Sequence, residues 1–111
     1  MGYKSVLDKL RQLPLLGIVR GIRHEDVEPL SEMILASGLQ AVEITMNTPE
    51  APDLIASLNE QLQHSDVSIG AGTVLSVTDY ELAVSAGAGF IVMPATIPEV
   101  LERCQKESVP V

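Results

Sequence analysis

The segment Leu39-Gln-Ala-Val-Glu-Ile-Thr-Met-Asn47 decides the fold of this chain. It has the pattern of an apolar β-strand that contains one carboxylate, Glu43. Side chains along a β-strand alternate between two faces, so this stretch has one apolar face and one that grows more polar toward its end. The apolar face carries Val42, Ile44 and Met46, and the polar face carries Ala41, Glu43, Thr45 and Asn47. A parallel strand that buries a carboxylate suggests a functional role for Glu43.

The polar face that carries Glu43 gains polar residues toward the strand's carboxyl end, which favours catalysis. In β/α folds the loops that follow the strands converge at that end on a rigid scaffold, where active sites are built. Glu43 is therefore predicted to be a general acid/base. The alternative is a structural carboxylate that is paired with a cation such as Arg20 or satisfied at the rim of the sheet.

Apolar segments and helical patterns alternate along the rest of the chain. Strands are predicted at 15–19, 40–46, 67–69 and 89–93, with three residues of a fifth at 109–111. Helices are predicted at about 5–13, before Gly38, after an N-cap at Thr48 with Pro49 as the first helical residue, at 78–86 and at 98–106. Repeated strand, helix and strand units predict a parallel sheet with right-handed crossovers.

This order fits an α/β fold of two kinds, half of a (β/α)8 barrel or an open doubly wound sheet. A flavodoxin-like fold suits the length equally well, but it requires a helix after the fifth strand. The 111 residues are far fewer than the ~250 typical of a closed barrel. We therefore expect one domain, or part of one, over residues 1–111.

Charge and composition restrict the partners. The formal net charge is −8, and aromatic residues make up 3% of the chain, which argues against a nucleic-acid surface. No apolar run approaches the ~18 residues that a membrane span requires, and no secretory signal is recognisable, so we expect a cytoplasmic protein. An acidic surface repels anions, so an anionic ligand would need a local cation such as Arg20.

Metal, thiol and serine chemistry are not expected. His24 and His64 have no partners at ligand-like spacing and are interpreted as surface histidines, so no metal site is predicted. Cys104 lies in an amphipathic helical pattern, which is typical of a semi-buried structural thiol. Among the serines, none has the sequence context of a nucleophile elbow.

Polar or turn-forming residues end the predicted strands and form one convergent set. Arg20 could make a bidentate pair with a carboxylate or phosphate, or else a salt bridge to Glu43 or a surface acid. Thr73 closes Gly70-Ala-Gly-Thr73, which could approach a ligand or be a simple turn. Pro94 closes the fourth strand and could merely end its pairing. The complete set is Arg20, Glu43, Asn47, Thr73 and Pro94.

Four segments in order resemble those of the 2-keto-3-deoxy-6-phosphogluconate (KDPG)/4-hydroxy-2-oxoglutarate (KHG) aldolase family. They are Leu16-Gly-Ile-Val-Arg-Gly21, Ala41-Val-Glu-Ile-Thr-Met-Asn-Thr-Pro49, Ile69-Gly-Ala-Gly-Thr-Val-Leu75 and Phe90-Ile-Val-Met-Pro94. The resemblance covers nearly the whole chain. It implies a TIM barrel, usually trimeric, of class I aldolases without metal or cofactor that cleave a 2-keto-3-deoxy sugar acid phosphate to pyruvate and an aldehyde such as glyceraldehyde 3-phosphate.

The resemblance also implies roles for the residues at the strand ends. Glu43 matches the proton-transferring glutamate, and Thr73 and Pro94 match part of the pyruvate pocket. Asn47 stands where the family often has arginine, as in the similar 2-keto-3-deoxy-6-phosphogalactonate aldolase branch, which suggests that Arg20 takes over anion binding.

The family's Schiff-base lysine lies on strand six, and its phosphate loops follow strands seven and eight, all beyond Val111. Lys106, in the last helix, does not match it, and Lys4 and Lys9 are expected on a helix surface. The chain is thus interpreted as the N-terminal half of a (β/α)8 aldolase, with about four βα units, the start of a fifth strand and a preceding helix. The rival interpretations are an inactive half-barrel that self-associates and a phosphosugar epimerase-type TIM enzyme.

Overall fold

A computed structural model describes residues 5–111, so the predicted position of Lys4 lies outside the described residues. Helices and parallel strands alternate until the last two helices, which follow one another, and a short 3-10 turn at His24–Asp26 precedes the second helix. In chain order the elements are α1 Val6–Gln12, β1 Gly17–Val19, α2 Val27–Ser37, β2 Ala41–Thr45, α3 Ala51–Gln61, β3 Ser68–Gly72, α4 Val77–Ser85 and α5 Pro98–Glu107.

The sheet is parallel, with the strand order β1-β2-β3. Glu43 lies beside Ile18 on one neighbouring strand and Gly70 on the other, and Thr45 lies beside Gly72. Parallel neighbours in register point to the same side. The polar residues at the carboxyl ends of the three strands therefore lie together at one end of the sheet, which we call the Glu43 edge, as the alternation predicts.

The fourth strand, predicted at 89–93, is wrong as a regular strand. The Gly89 N–H donates a hydrogen bond to the Ile69 carbonyl at 2.8 Å, and the Ala71 N–H donates one to the Phe90 carbonyl at 3.0 Å. The pairing with β3 nevertheless amounts to one isolated parallel bridge, between Ala71 and Ile91. The Val92 N–H donates to the Ala71 carbonyl at 2.9 Å, but the next donor to this segment is Val74 and not Thr73, whose left-handed backbone breaks the regular ladder.

The predicted fifth strand at 109–111 does not form either. Its one backbone contact to the fourth segment is the Ile91 N–H, which donates to the Pro110 carbonyl at 2.9 Å. Proline has no N–H to return to a ladder, so Pro110 limits this short segment to a single bond.

Helix ends match the predictions in some places and differ in others. Gly38 ends α2 with φ 80°, as predicted for a C-terminal glycine. The predicted start of the third helix is wrong, because α3 begins at Ala51 after Glu50, which has φ 60°. Thr48 does not cap it, since its hydroxyl is buried against Thr45 instead.

The main core lies between the sheet and helices α2 to α5. It is built from the predicted apolar face of β2, the matching face of β3 and buried helix residues, including Val42, Ile44, Ile69, Leu54, Ile55, Leu58, Tyr80, Val100 and Cys104. Cys104 is buried and its pKa is raised by burial, as expected for a structural thiol. None of the helices over residues 5–111 is long and apolar enough to cross a membrane.

The prediction that Lys9 lies on a helix surface is also wrong, because Lys9 is buried. Its Nζ donates hydrogen bonds to the Asp66 carbonyl and to Ser68 Oγ, the latter at 2.9 Å. These contacts hold α1 at the amino end of β3. A helical pattern read from the sequence cannot locate the distant carbonyl that satisfies such a lysine.

The opposite face of the sheet is partly open. Phe90 packs over Gly70, where an added β-carbon would lie 2.5 Å from the ring. Toward the β1 edge the apolar side chains are uncovered, with Leu15 57% exposed and Ile18 64% exposed. The sheet face that carries Glu43 is therefore bordered at β1 by exposed apolar side chains.

Candidate active site

Glu43 lies at the middle of β2 and is 3% exposed. Burial raises the pKa of its carboxyl, and the positive charge of Arg20 partly opposes that rise. Over residues 5–111 no ion pair joins Glu43 to a cation, so the predicted alternative of a structural salt bridge does not form. A buried carboxyl with a raised pKa suits proton exchange with a bound substrate.

Gly72 makes room for this carboxyl. A β-carbon added at Gly72 would overlap Glu43 Oε2. Sequence reasoning missed Gly72, because it assigned the Gly-rich segment to a turn or to ligand approach. The available signal was the small residue that the neighbouring strand offers at the level of the carboxylate.

Arg20 joins the ends of all three strands. Its Nε donates to Asn47 Oδ1 and its Nη2 donates to Thr73 Oγ1, both at 3.3 Å. Three of the predicted site residues therefore meet. The guanidinium is exposed, so its other N–H groups can reach a carboxylate or phosphate that approaches this edge.

Thr73 has a left-handed backbone with φ 53°. This conformation is strained for a β-branched residue, and such residues concentrate at functional sites. Here the turn follows directly after β3 and brings the hydroxyl to Arg20. The strain thus accompanies a contact between two candidate residues.

Pro94 lies apart from this group. It is exposed and lines an open pocket of about 420 Å³ beside the chain's last residues, together with Met93, Ala95, Thr96, Leu101 and Val111. None of the other four predicted site residues lines that pocket. The predicted convergence is therefore found for Arg20, Asn47 and Thr73, which hydrogen bonds join, and Glu43 lies on β2, the strand that Asn47 follows.

One group of side chains could hold a metal ion. His24, Glu50 and Asp53 are exposed, and each offers a ligand atom that lies within 4.8 Å of the others. The His24 Nε2 and Glu50 Oε2 atoms are 3.7 Å apart, which also suits an ordinary surface ion pair. The sequence did not predict this group, because the residues follow different strands. His64 is exposed, as predicted.

Comparison with known proteins identifies one family. The model of the family described as "KDPG and KHG aldolase" matches residues 6–111. The 2-dehydro-3-deoxy-phosphogluconate aldolase of Treponema pallidum is 33% identical over 96% of this chain and 50% of its own length. A probable 2-dehydro-3-deoxy-6-phosphogalactonate aldolase of Rhizobium meliloti is 31% identical over 79% of this chain and 41% of its own length.

A solved structure agrees with the sequence comparisons. The KDPG aldolase of Legionella pneumophila, captured with pyruvate as a covalent carbinolamine intermediate, superposes with a TM-score of 0.79 and is 33% identical. That match covers 87% of this chain and 46% of the Legionella chain. The chain spans about half the length of the relatives it matches.

Proposed function

This chain belongs to the KDPG and KHG aldolase family, and we propose that it forms the proton-transferring half of a class I aldolase. The reaction is cleavage of a 2-keto-3-deoxy-6-phospho sugar acid to pyruvate and an aldehyde such as glyceraldehyde 3-phosphate. The observation that carries the proposal is the buried Glu43 carboxyl beside Gly72, at the strand edge where Arg20 contacts Asn47 and Thr73.

In the proposed reaction a lysine amine attacks the C2 carbonyl of the substrate, and the resulting carbinolamine loses water to form an iminium. Glu43 takes the proton of the C4 hydroxyl as the C3–C4 bond breaks, and the iminium accepts the electron pair. The aldehyde leaves, and Glu43 returns a proton to C3 of the enamine, directly or through water. Hydrolysis of the new iminium then releases pyruvate and the lysine.

The reacting lysine is proposed to come from beyond Val111. Lys9 is buried at the amino end of the sheet, and Lys106 is exposed on α5. The chain alone should therefore form no Schiff base. Borohydride reduction in the presence of pyruvate, followed by mass spectrometry, should label no lysine of this chain, and a labelled lysine would contradict the proposal.

Arg20 is proposed to bind the carboxylate of the substrate. Asn47 and Thr73 accept hydrogen bonds from its side chain and hold the guanidinium at the Glu43 edge. Pro94 is retained in the proposal as part of the pyruvate pocket, which its matching position in the family supports. A cytoplasmic location and a trimeric assembly are likewise proposed for the intact enzyme, with residues 1–111 as one partial barrel domain.

A chimera tests the proposed function. The C-terminal half of the Treponema pallidum relative is fused after Val111, and pyruvate release is measured from the phosphogluconate and phosphogalactonate forms of the substrate. The proposal predicts release from at least one of them. A folded chimera that binds either substrate and releases no pyruvate would contradict it.

A second candidate function is a self-associating half-barrel without catalysis. The exposed Leu15 and Ile18 at the β1 edge favour it, since an uncovered apolar strand edge pairs readily with another chain. Sedimentation velocity separates the two possibilities. A monomer that unfolds cooperatively would exclude obligatory association.

A further inference from the structure

Two buried hydroxyls lie at the turn that follows β2. Thr45 is 0% exposed, Thr48 is 4% exposed, and their Oγ1 atoms are 2.8 Å apart. The Thr48 N–H also donates to the Thr45 carbonyl at 3.0 Å. The turn that carries Asn47 is therefore closed by a backbone bond and a hydroxyl bond between the same two threonines.

The same Thr48 hydroxyl reaches across to the β1 loop. The Gly21 N–H donates to Thr48 Oγ1 at 3.1 Å. Gly21 has φ 74°, a left-handed conformation, so the chain turns immediately after Arg20. The hydrogen bond from Gly21 to Thr48 holds this turn, and the turn sets the direction in which the Arg20 side chain leaves the backbone.

We propose that Thr48 is a positioning residue, whose hydroxyl holds Gly21 and thereby keeps the Arg20 guanidinium against Asn47 and Thr73. Thr48 itself contacts no substrate atom in this proposal. The inference rests on the proposed function only in naming a carboxylate as the ligand of Arg20.

A hydroxyl is required at position 48 because it takes part in two hydrogen bonds at once. Thr48 Oγ1 accepts from Gly21 and shares a second hydrogen bond with Thr45. Valine has nearly the same shape but would leave the Gly21 N–H and the Thr45 hydroxyl without this partner, which costs stability at the fully buried Thr45 hydroxyl. Serine keeps the hydroxyl and loses only a methyl group.

A movement of Arg20 can also be detected through the pKa of Glu43. The charge of Arg20 lowers the pKa of Glu43 against the rise caused by burial. If Arg20 moves away, the pKa of Glu43 rises further, which a loss of general stability alone does not produce.

The test compares Thr48→Val, Thr48→Ser and the control Thr78→Val, an exposed threonine of α4, in the isotope-labelled chain. NMR follows hydrogen exchange of the Gly21 amide, the Arg20 Nε–H signal, the titration of the Glu43 carboxyl and binding of added pyruvate. Thr48→Val should speed Gly21 exchange and weaken pyruvate binding about tenfold each. It should also shift the Arg20 signal and raise the pKa of Glu43.

Thr48→Ser and Thr78→Val should stay within about twofold of the unsubstituted chain. If Thr48→Val does not fold, Thr48→Ala removes the same hydroxyl with less bulk and is expected to give the same pattern. Unchanged Gly21 exchange and an unchanged Arg20 signal in a folded variant without the hydroxyl would overturn the proposal. If those two signals respond but no chain binds pyruvate, the positioning role stands and the proposed ligand of Arg20 is wrong.

Discussion

The Glu43 carboxyl occupies the space that a side chain at position 72 would need. A β-carbon on Gly72 would overlap Glu43 Oε2, while the second glycine of the same strand, Gly70, makes room for Phe90. The two glycines therefore do more than shape a turn. They allow a carboxyl side chain and an aromatic ring to lie over β3 on the face that carries the candidate site.

Replacing Gly72 with alanine should displace the Glu43 carboxyl. The backbone of Gly72 is not left-handed, so the effect is steric, and overpacking of this kind costs about 1–3 kcal/mol of unfolding free energy. Gly89→Ala is the matched control, since its β-carbon would lie 3.6 Å from the Ile69 carbonyl oxygen, an ordinary contact. Urea unfolding of both variants checks this, and equal stabilities would argue against the packing described.

Stability should fall as the pH rises through the pKa of Glu43. Burial raises that pKa above its ordinary value of 4.5, so the folded chain binds a proton more tightly than the unfolded chain does. The stabilisation is fully present below pH 4.5 and is lost as the pH passes the folded value. Above that range Glu43→Gln should be more stable than the unsubstituted chain.

The measurement is urea unfolding at a series of pH values. Glu60→Gln, an exposed position on α3, is the control and should leave the pH dependence of unfolding unchanged. A Glu43→Gln chain whose stability follows the same pH curve as the unsubstituted chain would show that the burial of Glu43 carries no such penalty.

Lys9→Met should destabilise the chain. Methionine can fill the buried space but leaves the Asp66 carbonyl and Ser68 Oγ without their donor, at a cost of about 1–3 kcal/mol. Lys106→Met, on the exposed end of α5, should change the unfolding free energy by less than about 0.5 kcal/mol. Thermal or urea unfolding compares the two, and similar small effects would mean that the Lys9 contacts contribute little.

Arg20→Lys should weaken pyruvate binding about tenfold, because an ammonium cannot reproduce a guanidinium that contacts Asn47 and Thr73 at once. Arg11→Lys on the exposed side of α1 is the control. NMR titration gives both affinities. Equal binding by the two variants would remove Arg20 from the proposed anion site.

The sequence predicted those features that follow from local periodicity. The two faces of β2 follow from strict alternation, and the meeting of Arg20, Asn47 and Thr73 follows from parallel strand ends that share one edge. Gly38 ends its helix because a left-handed residue there favours glycine.

The features that were missed depend on contacts between distant segments. Threonine is a residue type that often caps a helix, but the Thr48 hydroxyl forms hydrogen bonds with Thr45 and Gly21 instead. Lysine is usually found at the surface, but the side chain of Lys9 donates a hydrogen bond to the distant Asp66 carbonyl. The fourth segment has strand-like residues, yet a ladder needs a partner whose donors and acceptors no local pattern specifies.

The central claim, that Glu43 transfers protons in an aldolase, is tested most directly by the kcat of the Treponema chimera with and without Glu43→Gln. Loss of a general acid/base lowers kcat by about 100-fold or more, and the Glu60→Gln control should keep it. A chimera that carries Glu43→Gln and releases pyruvate at the unsubstituted rate would contradict the claim.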